Sequence, residues 1–233
     1  MCGIVGLFLK DKALEPKLGE MLSEMLITMT DRGPDSAGIA IYGQDQKGRT
    51  KVTVQSKDGH ADYASLQSDL AASLGSDITV LVNDTHAVID VAKDQTQELS
   101  ALLSDKHADI RVMSQGDTIE IYKEVGLPGE VSERFNVPSM AGSHGIGHTR
   151  MATESAVTTD GAHPYSTGPD QCLVHNGSLS NHNALRRKLT RNGIKIESYN
   201  DTEVGAAYLT WKMSQGDSLG EALESSLKDL DGF

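Results

Sequence analysis

The chain opens Met1-Cys2-Gly3-Ile4-Val5-Gly6-Leu7-Phe8, and no other stretch restricts its fold and chemistry as much. The small Cys2 side chain permits removal of the initiator methionine, which leaves a thiol and a free α-amino group on one carbon. With a reference pKa of ~7.7–8.0, that amine can take the thiol proton directly or through a water. The run Ile4-Val5-Gly6-Leu7-Phe8 is short and apolar on both faces, the pattern of a fully buried strand. The expectation is a nucleophile held rigidly at a strand end. A chance cysteine before a core strand would give the same eight residues, so the rest of the chain must decide.

At 233 residues the chain can bury a sizeable core, as one large domain or one domain with an insertion. Its 21 Lys and Arg against 33 Asp and Glu give a net charge of −12. That acidity argues against nucleic acid and anionic membrane as partners, since both need basic patches. No apolar run approaches the ~18 residues of a membrane span, and no basic-then-apolar leader is expected ahead of the core. Two cysteines, Cys2 and Cys172, are too few for a disulfide framework, which fits a reducing, cytoplasmic setting.

Leu14, Leu18, Met21, Leu22, Met25, Leu26 and Met29 mark one face of a long helix, with Pro16 in its first turn. Asp31 to Ser36 ends it in a charged turn, and Ala37 to Tyr42 is a second strand. Between 44 and 143 the character changes to an α+β block: strands at 52–55, 78–82 and 87–91, helices through Tyr63–Leu74 and Leu99–Leu103, and a hairpin joining 110–113 to 119–122 across Gln115-Gly116-Asp117. His60, His86 and His107 lie there without ligand-like spacing and are taken as surface or satisfied histidines. The block contributes no chemical cluster and is taken as an insertion used for contact.

Chemistry returns at Gly145 to Thr153, a strand running into a loop with Arg150 near its end. Ala162-His163-Pro164-Tyr165 follows in a turn. A strand over 171–174, with Cys172 as core, ends in His175-Asn176-Gly177. A helix capped near Ser180 turns Ala184, Leu185 and Leu189 inward and stops at Asn192-Gly193. A short strand over 194–196 precedes Asn200-Asp201-Thr202-Glu203, where Asp201 sits at the start of a helix presenting Val204, Ala207, Tyr208 and Trp211. A last amphipathic helix uses Leu219, Ala222, Leu223, Leu227 and Leu230. The closing Gly232-Phe233 has the look of a lead-in to a further strand, so the chain is expected to stop within a longer fold.

Taken singly, Arg150 could be a surface ion-pair partner, Asn176-Gly177 a turn and Asp201 a helix cap. Together with a cysteine at position two they are a specific set. Five segments in order, Met1-Cys2-Gly3-Ile4-Val5-Gly6, Arg32-Gly33-Pro34-Asp35-Ser36, Gly147-His148-Thr149-Arg150-Met151-Ala152-Thr153, His175-Asn176-Gly177 and Asn200-Asp201-Thr202-Glu203, resemble the glutaminase domain of class II, N-terminal-nucleophile glutamine amidotransferases. The resemblance covers about 1–43 and 144–233 and leaves 44–143 as the insertion.

The resemblance implies an α+β fold, the N-terminal-nucleophile hydrolase αββα sandwich. It implies Cys2 as nucleophile toward the glutamine side-chain amide, with Asn176 and Gly177 donating to the oxyanion. Arg150 would grip the substrate carboxylate bidentately and Asp201 its ammonium, while Thr153 and His163 would line the pocket. L-Glutamine is the implied substrate, and no cofactor or metal is expected in this chain. Met151 stands where the sugar-amidating branch has Trp and Glu154 where it has His. The insertion and the compact length are most similar to the small subunits related to glutamate synthase and N-methylglutamate synthase. Since no acceptor-binding loop is visible, a synthase partner in a hetero-oligomer is expected. A catalytically silent assembly subunit is the alternative, and another N-terminal-nucleophile amidase or protease a third possibility. Neither needs the whole set of Cys2, Asn176, Gly177, Arg150 and Asp201.

Overall fold

A computed structural model describes residues 2–57, 59, 61–75, 77–152 and 156–232. Strands β1 (Gly3–Phe8), β2 (Ser36–Tyr42), β3 (Arg49–Ser56), β4 (Thr79–Asn83), β5 (His86–Ala92), β6 (Ile110–Gly116), β7 (Ile119–Val125) and β8 (His144–Arg150) fall into two antiparallel sheets. Their orders are β1-β8-β2-β7 and β4-β5-β3-β6. Helices α1 (Leu18–Ile27), α2 (Tyr63–Leu74), α3 (Thr96–Lys106), α4 (Pro128–Arg134), α5 (His182–Arg191), α6 (Asp201–Ser214) and α7 (Leu219–Asp229) pack around them.

The first sheet is organised by β2, whose seven residues are all buried, as its run of small and branched apolar residues requires. Leu18, Leu22 and Leu26 of α1 lie on one face of this sheet against Val5, Ile39 and Ile41. Truncating one of these fully buried leucines to Ala would cost ~2–5 kcal/mol by the usual transfer and cavity terms. The expected long helix from Leu14 is two elements: a 3₁₀ turn over Lys12–Lys17, then α1. Pro16 offers no N–H and restricts the residue before it, so the α-helical ladder starts only at Leu18. Strand β1 also differs from its expectation. It lies at the sheet edge, with Val5 buried and Ile4 and Phe8 44% and 69% exposed.

Residues 44–143 are shared between the sheets. Val52, Val54, Ile89 and Val91 on one face of the second sheet form a core with Leu66 and Leu70 of α2 and Leu99 and Leu103 of α3. The same stretch also supplies β7, which pairs with β2 along its whole length from Ser36–Val125 to Tyr42–Ile119. The expected hairpin is therefore a crossover: β6 pairs with β3 and β7 with β2. Asp170 makes that turn, its carboxylate accepting from the amides of Asp117, Thr118 and Ile119 at 2.8, 2.9 and 3.1 Å. Tertiary hydrogen bonds from 51 to 53 residues away override a local hairpin signal.

Further differences follow from packing. His86 is fully buried, its ring edge-on to Phe135 at 4.8 Å, with no hydrogen-bond partner for Nε2 among the described residues. Residues 171–174 contribute a single bridge, Tyr165 to Leu173, in place of a strand, and 194–196 is irregular. Cys172 is half-buried and accepts from the Tyr42 hydroxyl at 3.4 Å. Helix α5 begins after Asn181 and leaves Ala184 exposed, with Leu185 and Leu189 buried. In α7 the buried face is Ala222 and Ser226, while Leu219, Leu223 and Leu227 are exposed. His60 lies outside the described residues. No helix among the described residues is long and apolar enough to cross a membrane.

Candidate active site

The register of β1 on β8 sets the site. Gly3 lies opposite Thr149, so Cys2 falls opposite Arg150 as the pairing ends. Gly3 N–H donates to Thr149 Oγ1 at 3.2 Å, and that hydroxyl donates to the Met29 carbonyl at 3.2 Å. A Cβ on Gly33 would stand 2.6 Å from Arg150 N, so only glycine lets the 30–35 turn lie flat against the end of β8. From that turn Arg32 Nε donates to the Cys2 carbonyl at 3.3 Å.

Asn176 arrives from the far end of the chain. Its Nδ2 donates to the same Cys2 carbonyl at 3.0 Å, and Gly177 follows it in an exposed turn. A side-chain donor thus rests on the residue of the proposed nucleophile, with the Gly177 amide next along the chain. Cys2 itself is half-buried.

The substrate-binding candidates come from the end of β8 and the start of α6. Arg150 is buried, and its Nη1 donates to the Ala156 carbonyl at 3.4 Å. Asp201 is the first residue of α6, and Asn200, not Asp201, caps the helix by accepting from Thr202 N–H at 2.8 Å. Its carboxylate accepts from Leu179 N–H at 2.8 Å and lies 3.9 Å from His175 Nδ1. Thr153 lies outside the described residues.

His163 is buried, in hydrogen bond with Thr202 Oγ1 at 2.8 Å and stacked on His148 at 4.1 Å between ring centroids. His148 donates from Nε2 to the His175 carbonyl at 3.1 Å, which fixes its tautomer. Burial drives the pKa of His148 down to about 4 and that of His163 well below its ordinary value, with the neighbouring cations adding to both. The two stacked imidazoles are therefore neutral near pH 7. Among the described residues no group of His, Cys, Asp and Glu side chains is disposed to hold a metal ion.

Sequence reasoning missed several groups around this centre. Arg32 and Asp35 lie within a quoted motif that gives them no role. His148 likewise lies in a quoted segment that gives it no role. Lys123 gave a usable signal: it continues the Ile119, Ile121 alternation of β7 and so points inward.

A cysteine leading into β1, an Asn-Gly turn hydrogen-bonded to its carbonyl, an arginine ending β8 and an aspartate opening α6 are the parts a class II glutamine amidotransferase centre would need. The chain belongs to the glutamine amidotransferase family, and its domain profile matches residues 137–223. Over all 233 residues the chain is 63% identical to the glutamine amidotransferase-like protein GlxB of Rhizobium meliloti, covering 77% of that protein. It is 36% identical to a putative glutamine amidotransferase of Methanothermobacter thermautotrophicus, covering 79% of it. A 125-residue stretch, 54% of this chain and 20% of the relative, is 34% identical to glutamine–fructose-6-phosphate aminotransferase of Vibrio vulnificus.

Two solved structures share the fold: the allosteric regulatory enzyme of purine biosynthesis, with a TM-score of 0.57, and glutamine phosphoribosylpyrophosphate amidotransferase of B. subtilis, with a TM-score of 0.55. Each is 18% identical and matches 98% of this chain, and this chain spans 33% of each of theirs. The fold is thus the α+β fold of the N-terminal-nucleophile amidotransferases, and the chain is an amidotransferase enzyme of that class.

Proposed function

We propose that the chain is a glutaminase subunit that hydrolyses the side-chain amide of L-glutamine through a Cys2 thioester and delivers ammonia, or a glutamyl group, to a synthase partner. The observation that carries this is Asn176 Nδ2 resting at 3.0 Å on the Cys2 carbonyl across 174 residues of sequence. With Met1 removed, the α-amine takes the Sγ proton, and the thiolate attacks the amide carbon. Asn176 and the Gly177 N–H stabilise the oxyanion, and the protonated amine then gives its proton to departing ammonia. Water hydrolyses the thioester and releases glutamate. Loss of one oxyanion donor costs ~2.7–4 kcal/mol of transition-state stabilisation in comparable sites.

Arg150 and Asp201 are assigned to the substrate carboxylate and ammonium, with His163 and Thr153 lining the pocket. An acceptor site is assigned to a partner of glutamate synthase or N-methylglutamate synthase type, within a cytoplasmic hetero-oligomer. Residues 1–43 and 144–233, together with β7 and α4 from the stretch between them, are assigned as the amidotransferase unit. Glutamate release from glutamine by the methionine-free chain tests the chemistry, and no release above a Cys2→Ala control would refute it. Purification of the native complex tests the partner: recovery of a synthase subunit is expected, and recovery of the chain alone would refute that part.

A further inference from the structure

Lys123 is a buried amine that the chemistry above does not use. It is 5% exposed on β7, and its Nζ donates to the carbonyls of Ala162 and Pro164 at 2.7 and 3.1 Å, lying 4.1 Å over the Tyr165 ring. Those two carbonyls flank His163. On one side of this strap, a Cβ at Gly161 would stand 2.7 Å from Arg150 Nη1. On the other, a Cβ at Gly38 would meet the His163 carbonyl at 2.0 Å, so the strap lies flat on β2. The free end of the His163 ring is tied to Thr202 Oγ1, one residue after Asp201. Glu203, next along, accepts from the amides of Glu197 and Ser198 at 2.8 and 2.6 Å and so fixes the turn ahead of Asp201.

We infer that Lys123, with Thr202, is a positioning residue of the glutamine site: it fixes the 161–164 strap, and through it His163, between the Arg150 guanidinium and Asp201. Burying an ammonium is costly unless it is well paired, and a plain apolar residue would fill the same inward slot on β7. Burial lowers the pKa of Lys123 to about 7, opposed by the Glu203 carboxylate and aided by Arg111. A group so disfavoured as a cation, yet placed on two backbone carbonyls, marks a loop whose position matters. Lys123 touches no reacting atom; it acts through the strap. The inference rests on the glutaminase reading of this site.

The test is steady-state glutamine hydrolysis by the full, methionine-free chain. If the unsubstituted chain releases no glutamate, the glutaminase reading falls and takes this inference with it. Given an active chain, Lys123→Met keeps the side-chain length and leaves both carbonyls unpaired. It should raise KM for glutamine about tenfold with kcat changed less than about threefold. Thr202→Val, which releases the other end of the strap, should move KM in the same direction. A folded Lys123→Met with unaltered KM would overturn the inference, as would a loss confined to kcat. If Lys123→Met does not fold, Thr202→Val decides, and an unaltered KM there overturns it equally.

Discussion

The carboxylate of Asp35 accepts the backbone N–H of Ala152 at 2.7 Å, while Asp35 N–H donates to the Arg150 carbonyl at 3.0 Å. One residue therefore clasps the chain on both sides of Met151 and fixes the direction in which Arg150 leaves β8. The Arg-Gly-Pro-Asp-Ser motif thus supports Arg150, the proposed substrate clamp, from behind: Gly33 permits the approach, and Asp35 locks it. Asp35→Ala should loosen Arg150 without touching Cys2, raising KM for glutamine more than it lowers kcat. Steady-state kinetics on a variant with native circular dichroism checks this, and a fall in kcat alone would contradict it.

Cys2→Ala should abolish glutamine hydrolysis while the fold survives, since the residue lies at a strand end where Ala fits equally well. Cys172→Ala should leave hydrolysis nearly unchanged, because its sulfur faces Tyr42 of β2 and not the Asn176 turn. Labelling by a glutamine-mimicking electrophile provides the readout. Modification at Cys172 in place of Cys2 would refute the nucleophile.

Arg150→Lys keeps the charge but loses the planar fork, so KM should rise strongly with a smaller effect on kcat. Asp201→Asn should act likewise. Asn176→Ala should instead lower kcat by ~10²–10³, because its bond strengthens as the oxyanion forms. An exchange of these KM and kcat effects between the two groups would break the role assignment.

Much of this centre was legible in the sequence because each residue sits at an element end within a short motif. Cys2, Arg150, Asn176 and Asp201 keep their local context wherever the elements pack. The less legible features depend on contacts between distant segments. Nothing local to Gln115-Gly116-Asp117 indicates that β6 and β7 part company, since the carboxylate that turns them belongs to Asp170. Nothing near Leu219 or Leu227 says which face of α7 is covered, because that is set by α6, whose Tyr208 hydroxyl donates to Asp229 Oδ2 at 2.7 Å. The inward Lys123 was visible in the alternation of β7, but its partners are two carbonyls some 40 residues on.

Acid should destabilise the fold through its buried histidines. Burial lowers the pKa of His86 to about 3 and that of His148 to about 4, from an ordinary 6.5. Below pH 6.5 the unfolded chain takes up protons that the folded chain refuses, so stability present above 6.5 declines as pH falls toward 4 and then 3. Each such histidine contributes at most ~1.4 kcal/mol per pH unit in that window. Urea denaturation between pH 7 and 5 should show the decline, and His86→Leu should make it shallower. An identical slope in His86→Leu would refute the contribution of His86.

The last prediction concerns the stretch between β2 and β8. Its α2 and α3 core is built from residues between Val52 and Ile110, whereas β7 is hydrogen-bonded to β2 throughout and carries Ile119, Ile121 and Lys123 into the first sheet. Replacing residues 44–142 by a flexible linker removes β7 as well as α4, whose Val131 packs on the first sheet with Phe135 beyond it. The fully buried edge of β2 would then meet water, so this chain should be insoluble. Replacing only 44–116 keeps β7, and the Thr118 and Ile119 amides keep their bonds to Asp170. That shorter deletion exposes Tyr122 and Phe135, where His86 and Val88 now cover them, and should fold with reduced stability. Size-exclusion chromatography and circular dichroism separate the two outcomes. A folded chain lacking 44–142 would show that the first sheet does not need β7.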